Sequence, residues 1–549
     1  MENKKEIRKS ATLMSLATVV SRFLGFGRDM ISAHLFGASG ISDAFVVAFR
    51  LPNFLRDLVA EGALSSAFVP GLARARHQGG DEAFWNLASF MVSAMAMALG
   101  VLVLLGLLLA PWILALAAPG FRARPRQFAL ALKLTRIVFP FIGFIGLSSL
   151  FMGMLNAKKS FFIPALAPAA LNLAMIFCGL VVCPRMGSDP RSQIVGWAIG
   201  AVVGGALQCL VQLPKALKSG FRWKPAWPFR DAGVKRIFRT MGPAVVGQST
   251  TQVNLLVNTI LASQLAAGSV TFLYYGARVM QLPLGIFGVA IAAAVLPDLS
   301  AHHAAGDSGA YRRTLAFGLR MTMFTDLPAL AGLICLAIPI HVLLFKGGHF
   351  DLADARAAAM ASIAYTSGVV FMSWGKVLVP AFYALDSPST PVKVSMCMVV
   401  VNIGLNLALW RPFGYLGLAA TTSIVSLLQA VTLQVLMTRR VGNLWLREDL
   451  VQVAKMGLCT AAMTLSLAGA YWGLNRVCPN WASDPHGKLL LAVQVSGLMA
   501  LGVAVYMGLS QAMGLGELIP RFWPRWAKAA PAAVQREVAR ANERAYDEP

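Results

Sequence analysis

Long apolar runs separated by short polar, basic stretches make up the pattern of this chain. Runs near 11–35, 43–72, 84–115, 128–155, 162–183 and 193–214 each suit a spanning helix, which needs about 20 mainly apolar residues. A polar stretch from Lys215 to Arg239 follows, with eight Lys/Arg and the turn-forming Pro225 and Pro228. Six further runs lie near 241–265, 270–300, 314–345, 358–385, 390–410 and 415–438, and two more near 451–475 and 487–513. The pattern predicts an all-α membrane protein of about 14 transmembrane helices.

Two proline pairs recur at one offset. Pro70 and Pro297, each followed by x-Leu (Leu72, Leu299), and Pro164 and Pro391 are all separated by 227 positions, and Arg50 and Arg278 by 228. This predicts two homologous six-helix lobes. Each lobe has an even number of helices, so both enter the membrane in the same orientation and their pseudo-two-fold runs along the membrane normal. The expected organisation is an N-terminal lobe over 1–230 (helices 1–6) and a C-terminal lobe over 231–448 (helices 7–12). Two additional helices follow over 449–514, then a basic tail over 515–549. Such parallel repeats occur in secondary transporters, with the site between the lobes.

Composition strengthens the membrane assignment. Of 549 residues, 57% are hydrophobic and 13% charged, against about 25% charged in soluble proteins, and mean hydropathy is +0.65. The net charge of +24 falls mainly in loops, which fits positive-inside topology better than nucleic-acid binding. Both termini are expected in the cytoplasm. The segment after the basic N-terminus carries Arg22, Arg28 and Asp29 and lacks a small-residue cleavage site, so it reads as a retained helix. Seven cysteines exclude a fully paired disulfide framework. Only Cys183 and Cys478 read as loop-exposed. No C-x-x-C or His/Cys cluster points to a metal, and no metal site or cofactor is expected.

Charges inside the spans change the picture further. Arg22, Arg28 and Asp29 lie in the first helix, Asp43, Arg50, Arg56, Asp57 and Glu61 in or near the second, and Arg278 in the eighth. A charge at the bilayer centre costs about 2.5–3.5 kcal/mol on insertion scales, so these residues should face a polar interior. Arg22 and Asp29 share a helical face, as do Asp43, Arg50 and Asp57. Arg28 lies about 120° from Arg22 on an ideal helix, so one cavity takes both only if it is wide or the helix bends. Gly25 and Gly27 offer a hinge there, and Pro52 offers one in the second helix. The second lobe has Arg278, Gln281 and Pro283 at the related place. A guanidinium stays charged and binds phosphate in a bidentate fork, so arginines converging from both lobes favour a phosphate-bearing anion. The alternative is that they only pair with Asp29, Asp43 and Asp57. Asp326 is an isolated charge read as lying near a helix end or in an internal pair. No catalytic triad, carboxylate pair or phosphate loop is placed for chemistry, so no catalytic residue and no enzyme are expected.

Several stretches resemble the MurJ/MviN lipid II flippase family of the multidrug/oligosaccharidyl-lipid/polysaccharide exporter superfamily. They are Ser21-Arg-Phe-Leu-Gly-Phe-Gly-Arg-Asp29, Asp43-Ala-Phe-Val-Val-Ala-Phe-Arg-Leu-Pro-Asn-Phe-Leu-Arg56, Glu61-Gly-Ala-Leu-Ser-Ser-Ala-Phe-Val-Pro70, Leu155-Asn-Ala and Tyr274-Tyr-Gly-Ala-Arg278. The resemblance implies that Arg22, Arg28, Arg56 and Arg278 bind the diphosphate head group in a central cavity. It assigns Asp29 and Asp43 to gating or to orienting arginines, and Arg50 and Gln281 are grouped with them. It implies a lipid-tail groove on the two additional helices, with entry from the inner leaflet and exit to the outer leaflet of the bacterial cytoplasmic membrane. Lipid II and membrane lipids are the expected partners, with peptidoglycan synthases as candidates and no nucleic acid. Energy would come from a coupling ion or the membrane potential. Asn254, Asn402, Asn406 and Thr422 are neutral where some relatives carry sodium-binding carboxylates, which weighs against sodium. Other readings remain open on the residues alone: a flippase for another polyprenyl-diphosphate glycan, a drug exporter, or a non-transporting scaffold for envelope synthesis.

Overall fold

The structure is a computed structural model describing residues 2–57, 64–224, 227–228, 231–478, 481 and 487–518. Glu61 and the tail beyond 518 lie outside the described residues. Among the described residues the chain is helical, with no β-strand. The N-terminal half holds α1 (Glu2–Phe36), α2 (Gly40–Arg56), α3 (Leu64–Ala117), α4 (Pro125–Val138), α5 (Phe141–Ala157), α6 (Phe162–Phe177), α7 (Cys183–Arg185), α8 (Pro190–Leu210) and α9 (Leu213–Lys218). The C-terminal half holds α10 (Ala232–Ser263), α11 (Ser269–Pro283), α12 (Val289–Ala304), α13 (Ser308–Cys335), α14 (Ala337–Phe345), α15 (Leu352–Thr366), α16 (Val369–Ala384) and α17 (Ser389–Val441). Helices α18 (Arg447–Val477) and α19 (Lys488–Ala512) follow.

Among the described residues, eight helical stretches are long and apolar enough to cross a membrane. Two bent pairs, α13 with α14 at 73° and α15 with α16 at 44°, bring the number to ten. The difference from the expected fourteen has two sources. Helices α3 and α17 each contain a break, at Gly79–Gly80 and at Gly414, and each spans parts of two expected runs. Gly414 has φ 58° and Gly80 has φ 68°, a left-handed backbone that glycine alone adopts without strain. The other source is α1, α2 and α10, which carry charged and polar residues and are not among the ten.

One proline pair at the 227 offset holds the same place in its two helices. Pro164 and Pro391 are each the third residue of their helices, α6 and α17. A wide turn (Leu284–Gly288) joins α11 to α12. The expected hinges show no break. Helix α1 runs unbroken through Gly25 and Gly27. Helix α2 continues past Pro52 to Arg56, with Asn53 Nδ2 donating to Phe49 O at 2.8 Å beside the donor that proline lacks.

Cys183 is buried and not loop-exposed. The helical path continues through it and sets its sulfur against α8, where a Cβ on Gly196 would come within 3.3 Å. All seven cysteines are free. Helices α18 and α19 pack on α13 and α14 through Met456, Cys459, Leu491 and Val495, and Tyr506 Oη donates to Phe324 O at 2.9 Å. Their outer faces, with Leu458, Leu465, Val493 and Val503, are exposed apolar surface.

Candidate functional site

A cavity of about 560 Å³ lies between α1, α2 and α6 of one half and α10 and α11 of the other. Arg22, Arg28, Arg50, Arg56 and Arg278 all line it, with Asp29, Asp57 and Gln281. Five arginines against two aspartates leave a surplus of three positive charges lining the cavity. An anion entering it would meet net attraction.

Asp29 organises the centre. It is buried, and its Oδ1 accepts Arg28 Nε at 3.0 Å and Nη2 at 2.7 Å, while its Oδ2 accepts Arg278 Nε at 2.7 Å. One carboxylate thus holds two arginines, one from each half. Tyr274 Oη donates to Asp29 Oδ1 at 3.2 Å, and Arg28 Nη1 donates to Asn172 Oδ1 at 3.2 Å. Gly25 makes room for this: a Cβ there would come within 3.1 Å of Arg278 Nη2. The glycine leaves room for the guanidinium, and no bend occurs at it.

The other arginines differ in how they are compensated. Arg50 Nη1 donates to Thr259 Oγ1 at 2.6 Å, and Arg50 has no carboxylate partner among the described residues. Arg56 pairs with Asp57 at 2.7 Å, and Gln252 Nε2 donates to the second Asp57 oxygen at 3.2 Å. Arg22 makes no hydrogen bond or ion pair among the described residues. It lies against the wide turn, where a Cβ on Gly285 would come within 2.9 Å of its Nη1. The shared face of Asp43, Arg50 and Asp57 therefore produces no pairing among them. Seven residues of helix separate neighbours by about 10 Å, and α10 and α11 supply nearer partners. Gln281 lines the cavity but hydrogen-bonds none of the arginines, so it orients none here. Asp326 also departs from expectation: it is fully buried in α13 and has no ion-pair partner.

Asp43 orients a helix and not an arginine. Its Oδ2 accepts Gly268 N–H at 2.7 Å, and its Oδ1 accepts Thr271 N–H at 2.9 Å and Thr271 Oγ1 at 2.7 Å. The carboxylate of one half thus caps the first turn of α11 in the other, where the helix dipole favours negative charge. Around it Asp354 Oδ2 accepts Ala38 N–H at 3.1 Å, Arg124 Nη2 donates to Leu265 O at 2.7 Å, and His349 N–H donates to His34 O at 2.9 Å. These bonds join the two halves at the end where α1 finishes and α2 begins, and they close the cavity there. Asp43→Ala removes three of them. A cysteine at Val46, which lines the cavity, is then expected to react severalfold faster with a membrane-impermeant maleimide than in the parent chain, and an equal rate would refute the closure.

The arginines were legible because charges interrupt apolar runs; several of their partners were not read. Asn172 gives the same signal, as the one amide in the otherwise apolar α6. Thr259 and Asn258 sit in a polar stretch of α10 that carried no charge to draw attention.

Comparison with known proteins places this arrangement among relatives. The family described as lipid II flippase MurJ matches residues 32–490. A probable lipid II flippase MurJ of Vibrio cholerae is 37% identical over 523 residues, 93% of this chain and 97% of that protein. The lipid II flippase MurJ of Burkholderia cenocepacia is 35% identical over 505 residues, 90% of this chain and 95% of that one. A solved structure of lipid II flippase MurJ in an inward closed conformation is similar with a TM-score of 0.75 at 26% identity, covering 92% of this chain and 100% of that chain. An inward-facing MATE family multidrug resistance transporter of the MOP superfamily has a TM-score of 0.66 at 14% identity, covering 79% and 99%, which shows the fold alone.

Proposed function

Since the chain belongs to the lipid II flippase MurJ family, we propose that its arginine cavity receives the diphosphate of lipid II and that transport proceeds by alternating access. The protein is a multi-pass transporter of the bacterial inner membrane that flips lipid II, the lipid-linked precursor of peptidoglycan, from the inner to the outer leaflet. The observation that carries the site assignment is the bridging of Arg28 and Arg278 by Asp29.

A diphosphate entering the cavity competes with Asp29 for both guanidiniums. A phosphate group offers them forked, charge-assisted acceptors as good as the carboxylate. Binding would therefore loosen the central tie between the halves, and a ligand shifts a conformational equilibrium only through such differential contacts. Arg22 and Arg50, which hold no carboxylate, supply attraction without a competing partner.

With both termini in the cytoplasm, α1 ends and α2 begins on the periplasmic side. The closure around Asp43 is then the outer gate, and the cavity is approached from the inner leaflet. Residues 1–230 and 231–448 act as the two rocking lobes. The exposed apolar faces of α18 and α19 support a groove for the polyprenyl tail. Asn406 Nδ2 donates to Asn258 Oδ1 and to Asn402 Oδ1, both at 2.8 Å, a neutral cluster without a carboxylate to attract sodium. An anionic head group moving outward across a potential negative inside gains about 2.3 kcal/mol per charge per 100 mV. The potential is therefore the favoured drive. On this reading the chain makes and breaks no covalent bond, and peptidoglycan synthases, which consume the product, are its protein partners.

Expression of the chain in a bacterium depleted of its own flippase tests the reading. Restored growth and cell shape are expected, and lysis despite normal membrane levels would contradict it.

A further inference from the structure

A second, smaller cavity lies apart from the arginine site. It has a volume of about 70 Å³ and is lined by Gly71, Arg74 and Gln78 of α3 and by Gly233, Arg236 and Thr240 in the first turns of α10. Arg74 and Arg236 thus face one pocket from opposite halves of the chain. Both are exposed, and neither has a carboxylate partner among the described residues. Two acids on the flanking segments are already engaged. Asp81 pairs with Arg76 and Lys158, both at 2.9 Å, and Asp231 Oδ1 accepts Val234 N–H at 2.9 Å. Two arginines without a carboxylate partner among the described residues, lining one small pocket, are suited to bind a phosphate.

A separate observation identifies what carries that phosphate. The connection between the halves crosses α3 beside the pocket: Trp223 Nε1 donates to Ser93 Oγ at 3.1 Å, and Lys224 N–H donates to Ser89 Oγ at 2.8 Å. Leu87, which also lines the pocket, is within two turns of both serines. From this connection Leu217, Trp223 and Trp227 stand exposed, among Lys215, Lys218, Arg222 and Lys224. Exposed tryptophans interleaved with basic residues sit at the headgroup level of a bilayer and favour an anionic leaflet. The pocket therefore opens where lipid phosphates lie.

We propose that this pocket binds the phosphate of an anionic glycerophospholipid of the phosphatidylglycerol type, held between Arg74 and Arg236. Assigning it to the cytoplasmic leaflet rests on the orientation adopted in the proposed function; the site itself does not. A lipid gripped by both arginines ties the two halves together at the end opposite the Asp43 closure.

Native mass spectrometry of the purified full-length chain with added lipids tests this. The parent chain is expected to retain phosphatidylglycerol in preference to phosphatidylcholine, and R74Q/R236Q to bind it roughly tenfold or more weakly. Both arginines are exposed, so the double variant should fold; an unchanged circular dichroism spectrum would establish that. R74K/R236K, which keeps the charges, is expected to recover part of the binding. Equal phosphatidylglycerol affinity in the parent and R74Q/R236Q, or no preference over phosphatidylcholine, would overturn the site. Displacement of the lipid by millimolar inorganic phosphate would overturn the lipid assignment in favour of a free anion. Lipid II movement by R74Q/R236Q in phosphatidylcholine liposomes is expected at the parent rate, so failure of this site and failure of the transport reading remain distinguishable.

Discussion

Replacing Arg278 with alanine is expected to reduce lipid II transport by roughly a hundredfold, the loss of one or two charged hydrogen bonds at about 1.5–3 kcal/mol each. Arg278 contributes twice. Its Nε holds Asp29 Oδ2 at 2.7 Å across the halves, and its guanidinium lines the cavity where the diphosphate would lie. The variant keeps Asp29 partnered by Arg28 and Tyr274, so the carboxylate is not stranded and the protein should still reach the membrane. R278K restores the charge without the fork and is expected to transport at an intermediate rate. Rates normalised to membrane abundance check this; parent-level transport in R278A would remove Arg278 from the site.

The second large effect concerns Arg50, and the contrast with Arg56 makes it diagnostic. Arg50 rests on Thr259 alone, so R50A leaves no carboxylate unpaired. Transport is expected to fall about tenfold or more with unchanged abundance, since one charged contact to phosphate is lost. R56A instead leaves Asp57 with Gln252 as its remaining amide partner. That places an uncompensated anion in the cavity, where breaking a pair costs more than the pair itself contributed. R56A is therefore expected to lower both transport and membrane abundance. T259A, which removes only a neutral partner, is expected to transport close to the parent rate. Should R50A transport normally, the unpaired arginines would not be the substrate's partners.

The arginines that line the cavity and the proline offset were legible because both leave marks along the chain. A guanidinium in a 20-residue apolar run is costly wherever it points, so Arg22, Arg28, Arg50 and Arg278 were legible without knowing their neighbours. The proline offset needed only counting. Partnerships were another matter. For Asp43 the resemblance offers gating or the orienting of arginines without choosing between them; that it caps α11 depends on how the two halves meet, more than 220 residues later in the chain. Gly25 was read as a hinge because glycine bends helices. Its neighbour Arg278 comes from the other half, and only that packing shows the glycine making room. Cys183 reads as loop-exposed in the sequence, yet the proline after it sits at the start of a helix and continues the helical path.

Movement of labelled lipid II by the purified chain in liposomes, with and without an imposed membrane potential, tests the central claim most directly. The account predicts movement by the parent chain in the absence of sodium, faster when the potential drives an anion across, and little movement by R278A under either condition. Equal movement by parent and R278A, or none by the parent with the potential applied, would contradict it.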